Sequence, residues 1–157
     1  MVLLREELDF VRDYLNVQDK AYGRQVQIGF DVDEALNDWL VPILCVQTFV
    51  ENSVKYARTS ISGMPLCLSV RADLLSTEDG RYMDLIISDN CQGYSDAVLE
   101  RVNSGNFGDD GQAVGIGNVI RRCRLLYGAR AELRFYNEDG AVSELILPQF
   151  DEGEIMS

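Results

Sequence analysis

Apolar positions along this chain recur at two periods, and the switches between them mark out its elements. Leu4, Leu8, Val11 and Leu15 fall at i, i+4, i+7 and i+11, which predicts an amphipathic helix over residues 3–18. Its apolar stripe is narrow, the form of a helix pair or coiled-coil seam rather than of a deep core. Val26, Ile28, Phe30 and Val32 then alternate with polar neighbours and glycine, a half-buried strand. Ile43, Val46, Val50, Val54 and Ala57 return to helical spacing, so Leu44 to Ala57 is expected as one helix. Its opposite face carries Thr48, Glu51, Asn52, Lys55 and Tyr56 at the same period.

Beyond a loop from Ser60 to Pro65, Leu66 to Leu74 alternate as a second strand, and Met83, Leu85 and Ile87 carry a third into Asp89. Thr77 to Gly80 reads as the hairpin turn between them. Ser95 is the expected N-cap of a short helix. Asn103 to Gln112 has three glycines and almost no apolar side chain, which predicts a mobile loop. A helix follows to Tyr127, stopped by Gly128. Leu133 and Phe135, the Asn137–Gly140 turn, and Val142 to Leu147 form a closing hairpin. The order α-β-α-β-β-α-loop-α-β-β predicts an α+β fold, a two-layer sandwich with helices on one face of a mixed, mostly antiparallel sheet.

Composition narrows the function. At 157 residues the chain suits one domain, and a formal charge of −12 argues against a nucleic-acid or anionic-membrane surface. It leaves room for a small anionic ligand held by a few cations and a helix N-terminus. No apolar run approaches the roughly 20 residues that cross a bilayer, and Arg5, Glu6, Glu7 and Asp9 interrupt any leader-like apolar core. Cys45, Cys67, Cys91 and Cys123 lie far apart with no C-x-x-C pair, so free thiols in a reducing compartment are expected. Histidine is absent, which removes a Cys/His zinc site and any imidazole base or phosphoryl acceptor.

Two segments besides the two-faced helix carry candidate chemistry. Asp89 closes a strand, where its carboxylate can accept from an exocyclic amine, and Gly93 lets a flat ring approach the backbone. Gly111 to Gly117 is glycine-spaced ahead of a helix, so its amides could cradle phosphates at the positive helix end. Each segment alone is common in loops and turns, and Arg121, Arg122 and Arg124 beyond them could be phosphate contacts or plain surface charge, the second reading being favoured. Their order along the chain is the specific signal.

Pro42, Leu44, Gln47, Val50, Glu51, Asn52 and Lys55, then Asp89, Asn90 and Gly93, then Gly115, Asn118, Val119, Arg122, Tyr127 and Gly128 follow one another in a known pattern. With the hairpin ending at Leu147-Pro148, this resembles the ATP-binding domain shared by histidine kinases, gyrase-type topoisomerases and the ninety-kilodalton heat-shock chaperones. More narrowly it is similar to the catalytic domain of bacterial sensor histidine kinases of the LytS/YesM type. Departures are Cys91 for glycine, Ala113 for the first glycine of the later motif, Ile116 for leucine, Gly117 for a larger residue, and Tyr56-Ala57 for histidine-glycine.

The resemblance implies the Bergerat fold and, residue by residue, a site. Asn52 would hold the Mg²⁺ that bridges the triphosphate of ATP, and Lys55 would contact phosphate or ribose. These two would carry the catalytic role. Tyr56 would pack on the nucleotide, Asp89 would accept from the adenine amine, and Gly93 would give the ring room. Gly115 and Gly117, with a lid from Asn103 to Val114, would close over the phosphates.

The resemblance further implies a fragment. Residues 1–20 would end an upstream linking or dimerisation helix, 21–150 would be the ATP-binding catalytic domain, and 151–157 an acidic tail. The chain would donate the γ-phosphoryl group to a histidine on upstream helices of the same protein and would be inactive alone. It would be the cytoplasmic part of a membrane-anchored kinase, dimeric through its parent, with no membrane or nucleic-acid contact of its own, and would reach a response regulator through the full-length kinase. A degenerate nucleotide-binding regulatory module without phosphotransfer is the alternative. Hydrolytic relatives place a glutamate where this chain has Thr48, which argues against an ATPase.

Overall fold

The computed structural model describes residues 1–22, 26–56, 65–105 and 112–150. Strand β1 (Val2–Leu3) leads straight into helix α1 (Leu4–Tyr22), and strand β2 (Val26–Val32) follows. A 3-10 turn at Glu34–Leu36 is capped by Asp33, whose carboxylate accepts from the Ala35 amide at 3.0 Å. The short strand β3 (Leu40–Val41) pairs antiparallel with β1 to make a separate two-stranded ribbon. Helix α2 (Gln47–Tyr56), the hairpin β4 (Leu66–Thr77) and β5 (Gly80–Asp89), helices α3 (Asp96–Ser104) and α4 (Gln112–Tyr127), and the hairpin β6 (Glu132–Asn137) and β7 (Ala141–Pro148) complete the order.

The main sheet has five strands in the order β2-β4-β5-β7-β6. Only β2 and β4 run parallel; the other neighbours are antiparallel. Alternation along the strands decides which face is covered. Leu66, Leu68, Val70 and Ala72 of β4, Met83, Leu85 and Ile87 of β5, and Leu145 and Leu147 of β7 are buried in one cluster with residues of all four helices among the described residues. Charged residues such as Arg71 and Asp73 take the other face of β4. The fold is thus the α+β sandwich that the pattern predicts.

Two expectations change. The stripe Leu4, Leu8, Val11 and Leu15 is at most 5% exposed and belongs to this same core, not to a seam awaiting another helix. Nineteen residues of helix, laid against the domain, give the sheet part of its cover. The second helix begins at Gln47 rather than Leu44, because Leu44 takes a positive φ of 67° that ends any helical run. Ile43 and Leu44 accordingly stay exposed, at 44% and 41%, outside the apolar stripe.

Ser95 caps α3 as expected, accepting from the Val98 amide at 3.2 Å. The predicted loop from Asn103 is shorter at both ends, since α3 continues to Ser104 and α4 starts at Gln112. Residues 106–111 of that segment, Ala57, the Ser60–Met64 part of the predicted loop and the 151–157 tail lie outside the described residues. All four cysteines carry free thiols.

Candidate functional site

The polar face of α2, the C-terminal end of β5 and the first turns of α4 converge on one place. The geometry starts with Asp89, the last residue of β5. Its Oδ1 accepts from the backbone amides of Cys91, at 2.9 Å, and Ala141, at 3.1 Å. Its Oδ2 accepts from the hydroxyl of Ser53 on α2 at 2.6 Å. The carboxylate therefore ties helix α2 to the start of β7, and charge-assisted bonds of this kind are stronger than neutral ones.

Gly140 makes the join possible. It has φ of +144°, and a Cβ there would stand 1.9 Å from the Asp89 carbonyl oxygen. Asn90 has a structural post: its amide oxygen accepts from the Cys67 amide at 2.9 Å, and its nitrogen donates to the Pro65 carbonyl at 3.2 Å. Gly93 has φ of +86°, and a Cβ there would lie 2.6 Å from Asn137 Oδ1. That same Asn137 side chain accepts from the Tyr94 amide at 2.7 Å and donates to the Tyr94 carbonyl at 2.9 Å. Close approach is what demands glycine at 93, and within the protein the approaching group is Asn137.

Below this floor, burial pushes the Tyr94 phenol up to about 12, with Asp89 adding and the hydrogen bond to Ser143 opposing. Tyr94 is thus a neutral member of the floor across the physiological range.

One helical face up from Ser53 is Asn52. It is half-buried, and its Nδ2 is buried without a hydrogen-bond partner among the described residues. An unpaired buried amide nitrogen is costly and marks a place where an acceptor fits. Gly115 of α4 stands opposite: a Cβ there would be 3.6 Å from Thr48 Cγ2 and 4.0 Å from Asn52 Oδ1. The methyl of Thr48 lies against α4, so that position offers no base. Lys55 is exposed, with its ammonium 5.5 Å from the centroid of the Tyr56 ring. Glu51 accepts from the Gln47 side chain at 2.8 Å and faces solvent.

Asn52, Asp89 and Gly115 are thus brought together, with Lys55 and Tyr56 one turn further along α2. The glycine-spaced segment differs from its expectation. From Gln112 it is already helix, so Gly115 lies in the first turn, where amides have no intrahelical partner, but Gly117 lies beyond it and is buried. A cradle at this end can use the amides of residues 112–115; Gly117 serves packing. Residues 106–111 of the expected lid, Gly111 among them, lie outside the described residues.

Sequence reasoning missed Ser53, Asn137 and Glu7. Ser53 was within reach, as a hydroxyl beside Asn52 on the same helix. Glu7 also left a signal, a charge set between Leu4 and Val11 on the apolar stripe. It is fully buried, and its carboxylate accepts from the amides of Leu44 and Gln47, both at 3.2 Å.

Comparison with known proteins agrees with this fold. No family model matches the chain. It is 28% identical over 150 residues to the sensor histidine kinase/phosphatase LytS of Staphylococcus aureus strain Mu50, covering 94% of this chain and 25% of LytS. Against the sensor histidine kinase YesM of Bacillus subtilis strain 168 the figures are 23% over 147 residues, 94% and 23%. The chain spans about a quarter of the length of the curated relatives it matches. Among solved structures, the nucleotide-free catalytic domain of histidine kinase ThkA superposes with a TM-score of 0.62 at 16% identity, covering 96% of this chain and 97% of that one. Full-length ShkA in complex with AMPPNP gives 0.64 at 17% identity, over 95% of this chain and 30% of ShkA. The chain is a relative of the sensor histidine kinases LytS and YesM, and its fold is that of a histidine kinase catalytic domain.

Proposed function

We propose that this chain binds Mg·ATP between α2, the end of β5 and the first turn of α4, and donates the γ-phosphoryl group to a histidine outside the residues present here. The observation that carries the reading is the pairing of a fixed acceptor with an unsatisfied amide. Asp89 is held in place by three donors, so an adenine amine meets a carboxylate already oriented. Asn52 presents a buried nitrogen without a partner, opposite amides at a helix start. A phosphate oxygen answers the nitrogen, and Asn52 Oδ1 is of the oxygen type that a hydrated divalent cation takes.

Among the described residues no group of three or more Cys, Asp or Glu could hold a metal ion. Mg²⁺ at this site would rest on Asn52, the phosphates and water, and would neutralise charge on the transferring group. The chain's own residues would do the rest. Asp89 reads the base, Ser53 fixes Asp89, and the first-turn amides of α4 receive phosphate. Lys55 adds a cation and Tyr56 a ring at the rim. Thr48 supplies no base, so the site positions ATP without activating water for its hydrolysis.

As the catalytic domain of a sensor kinase, it would take its acceptor from upstream helices of the same dimeric protein and signal to a response regulator. Its place would be the cytoplasmic side of a membrane-anchored parent; among the described residues no helix is long and apolar enough to cross a membrane. A second reading, a regulatory module that binds nucleotide without transfer, draws on one observation: Ser53 already donates to the outer oxygen of Asp89, so adenine must share it.

Calorimetry decides whether nucleotide binds. Mg·ATP and Mg·ADP should bind, and GTP should bind more weakly by about 1–3 kcal/mol because its O6 leaves Asp89 facing another acceptor. Asp89→Asn should remove the preference while keeping the fold, and Asn52→Ala should remove the metal dependence. Equal affinity for ATP and GTP, or none for either, would sink the assignment.

A further inference from the structure

Glu7 is the one acidic side chain among the described residues with no exposure at all, and no step of the proposed reaction uses it. It stands on the apolar stripe of α1, where a hydrocarbon of similar size would be the stabilising choice. Its two carboxylate oxygens instead take the amides of Leu44 and Gln47. Gln47 opens α2, and Val46 before it has no side chain that can cap, so a neighbouring helix supplies the cap.

The carboxylate also sits at the positive end of the α2 dipole. Leu44 is a bulky residue at positive φ, a conformation that needs support from outside. From the other side, the Arg122 guanidinium of α4 donates to the carbonyl of Ile43. The Pro42–Val46 connection is therefore gripped by α1 and α4 together. Cys45 within it is wholly buried, and burial followed by the nearby Glu7 carboxylate raises its thiol well above the ordinary range.

We propose that Glu7 is a positioning residue: by seating the first turn of α2 it sets Asn52 and Ser53 against Gly115 and Asp89, so that nucleotide affinity depends on this carboxylate clasp between α1 and α2. This rests on the nucleotide reading above and adds its control. The coupling runs through one short helix. Ser53 and Asn52 are six and five residues from Gln47, less than two turns away.

The test compares Glu7→Gln with Leu8→Ala, a purely apolar loss from the same helix. Glutamine keeps one acceptor but turns an amine on the other N–H. Affinity for Mg·ADP is measured well below the melting temperature of each variant. Glu7→Gln should lose about tenfold, the scale of one buried hydrogen bond, with the adenine-to-guanine ratio unchanged. Leu8→Ala should lower the melting temperature but leave affinity within about twofold, because it acts on the folded fraction alone.

Linkage gives an independent arm on the unmodified chain: saturating Mg·ADP should slow exchange of the Leu44 and Gln47 amides more than that of strand β2. Equal losses in the two variants, wild-type affinity in Glu7→Gln, or unaltered exchange at 44 and 47 would overturn the proposal. If the unmodified chain binds no nucleotide, the functional reading fails separately. The positioning claim then turns on whether Glu7→Gln raises amide exchange along 50–56, as expected, or only at 44 and 47, which would overturn it.

Discussion

Single residues show where the chemistry of this domain is decided by contact rather than by type. Asp89 could be picked from sequence as a strand-end carboxylate, and it is one, but what orients it is the trio of Ser53, Cys91 and Ala141. Cys91 stands where the family pattern has glycine, yet its backbone amide still donates to Asp89, so the substitution spares that bond. Gly93 could be picked as a close-approach glycine, and the approach is real, although the protein's own Asn137 makes it. Gly140 carried no signal beyond its turn. With a Cβ placed 1.9 Å from the Asp89 carbonyl at φ of +144°, Gly140→Ala should cost about 3 kcal/mol, combining strained backbone with forced separation of β5 and β7. Urea unfolding measures this directly, and a loss under about 1 kcal/mol would mean that the hairpin yields without strain.

At the scale of elements, periodicity located each of the main-sheet strands and the helices, since one buried face imposes a strict repeat of two or 3.6. It could not place the start of α2, where the Gln47 amide depends on the Glu7 carboxylate forty residues back. Nor could it give the β1–β3 ribbon, whose two-residue strands have no period to read. The narrow stripe of α1 was legible as apolar but not as to which surface it meets, because local pattern does not encode a partner.

The outer face of the sheet yields a pH effect of the same non-local kind. Glu144 of β7 is raised from 4.5 to about 7, first by a hydrogen bond with Asp84 of β5, then by burial and the charge of Asp84. Glu132 of β6 adds to the rise, and Arg134, 3.6 Å away, opposes it while being held also by Glu132 at 2.7 Å. Asp73 of β4 faces Asp84 across the ladder. Asp84 Oδ1 is buried without a hydrogen-bond partner among the described residues. A folded pKa above the unfolded one stabilises the protonated form. The contribution is full below about 4.5 and is lost as pH rises through about 7. Melting temperature should fall between pH 5 and pH 8, and Glu144→Gln should flatten that slope. An unaltered slope in the variant would assign the effect elsewhere.

The molecule as a whole carries −12 and no histidine, so any phosphoryl-accepting histidine must come from outside these residues. On the proposed function, the domain mixed with the histidine-bearing helices of a sensor kinase should label them from radioactive ATP, slowly, because the effective concentration given by tethering is lost. The inner stripe of α1 is already used, but Phe10 and Val17 on its outer side are 53% and 63% exposed, one heptad apart. Phe10→Asp should therefore slow the transfer while leaving ATP affinity unchanged. Loss of both together would instead place Phe10 in the support of the nucleotide site.

The clasp between Asp89 and the amide of Ala141 joins residues fifty-two positions apart. A nucleotide site built on Asp89 therefore cannot exist on a nascent chain until β7 has been made and docked beside β5. Binding competence would then appear only once β7 has docked, and a bound adenine would hold the β6–β7 hairpin closed. On the proposed function, fraying of β6 and β7 and release of nucleotide would be one event seen from two ends.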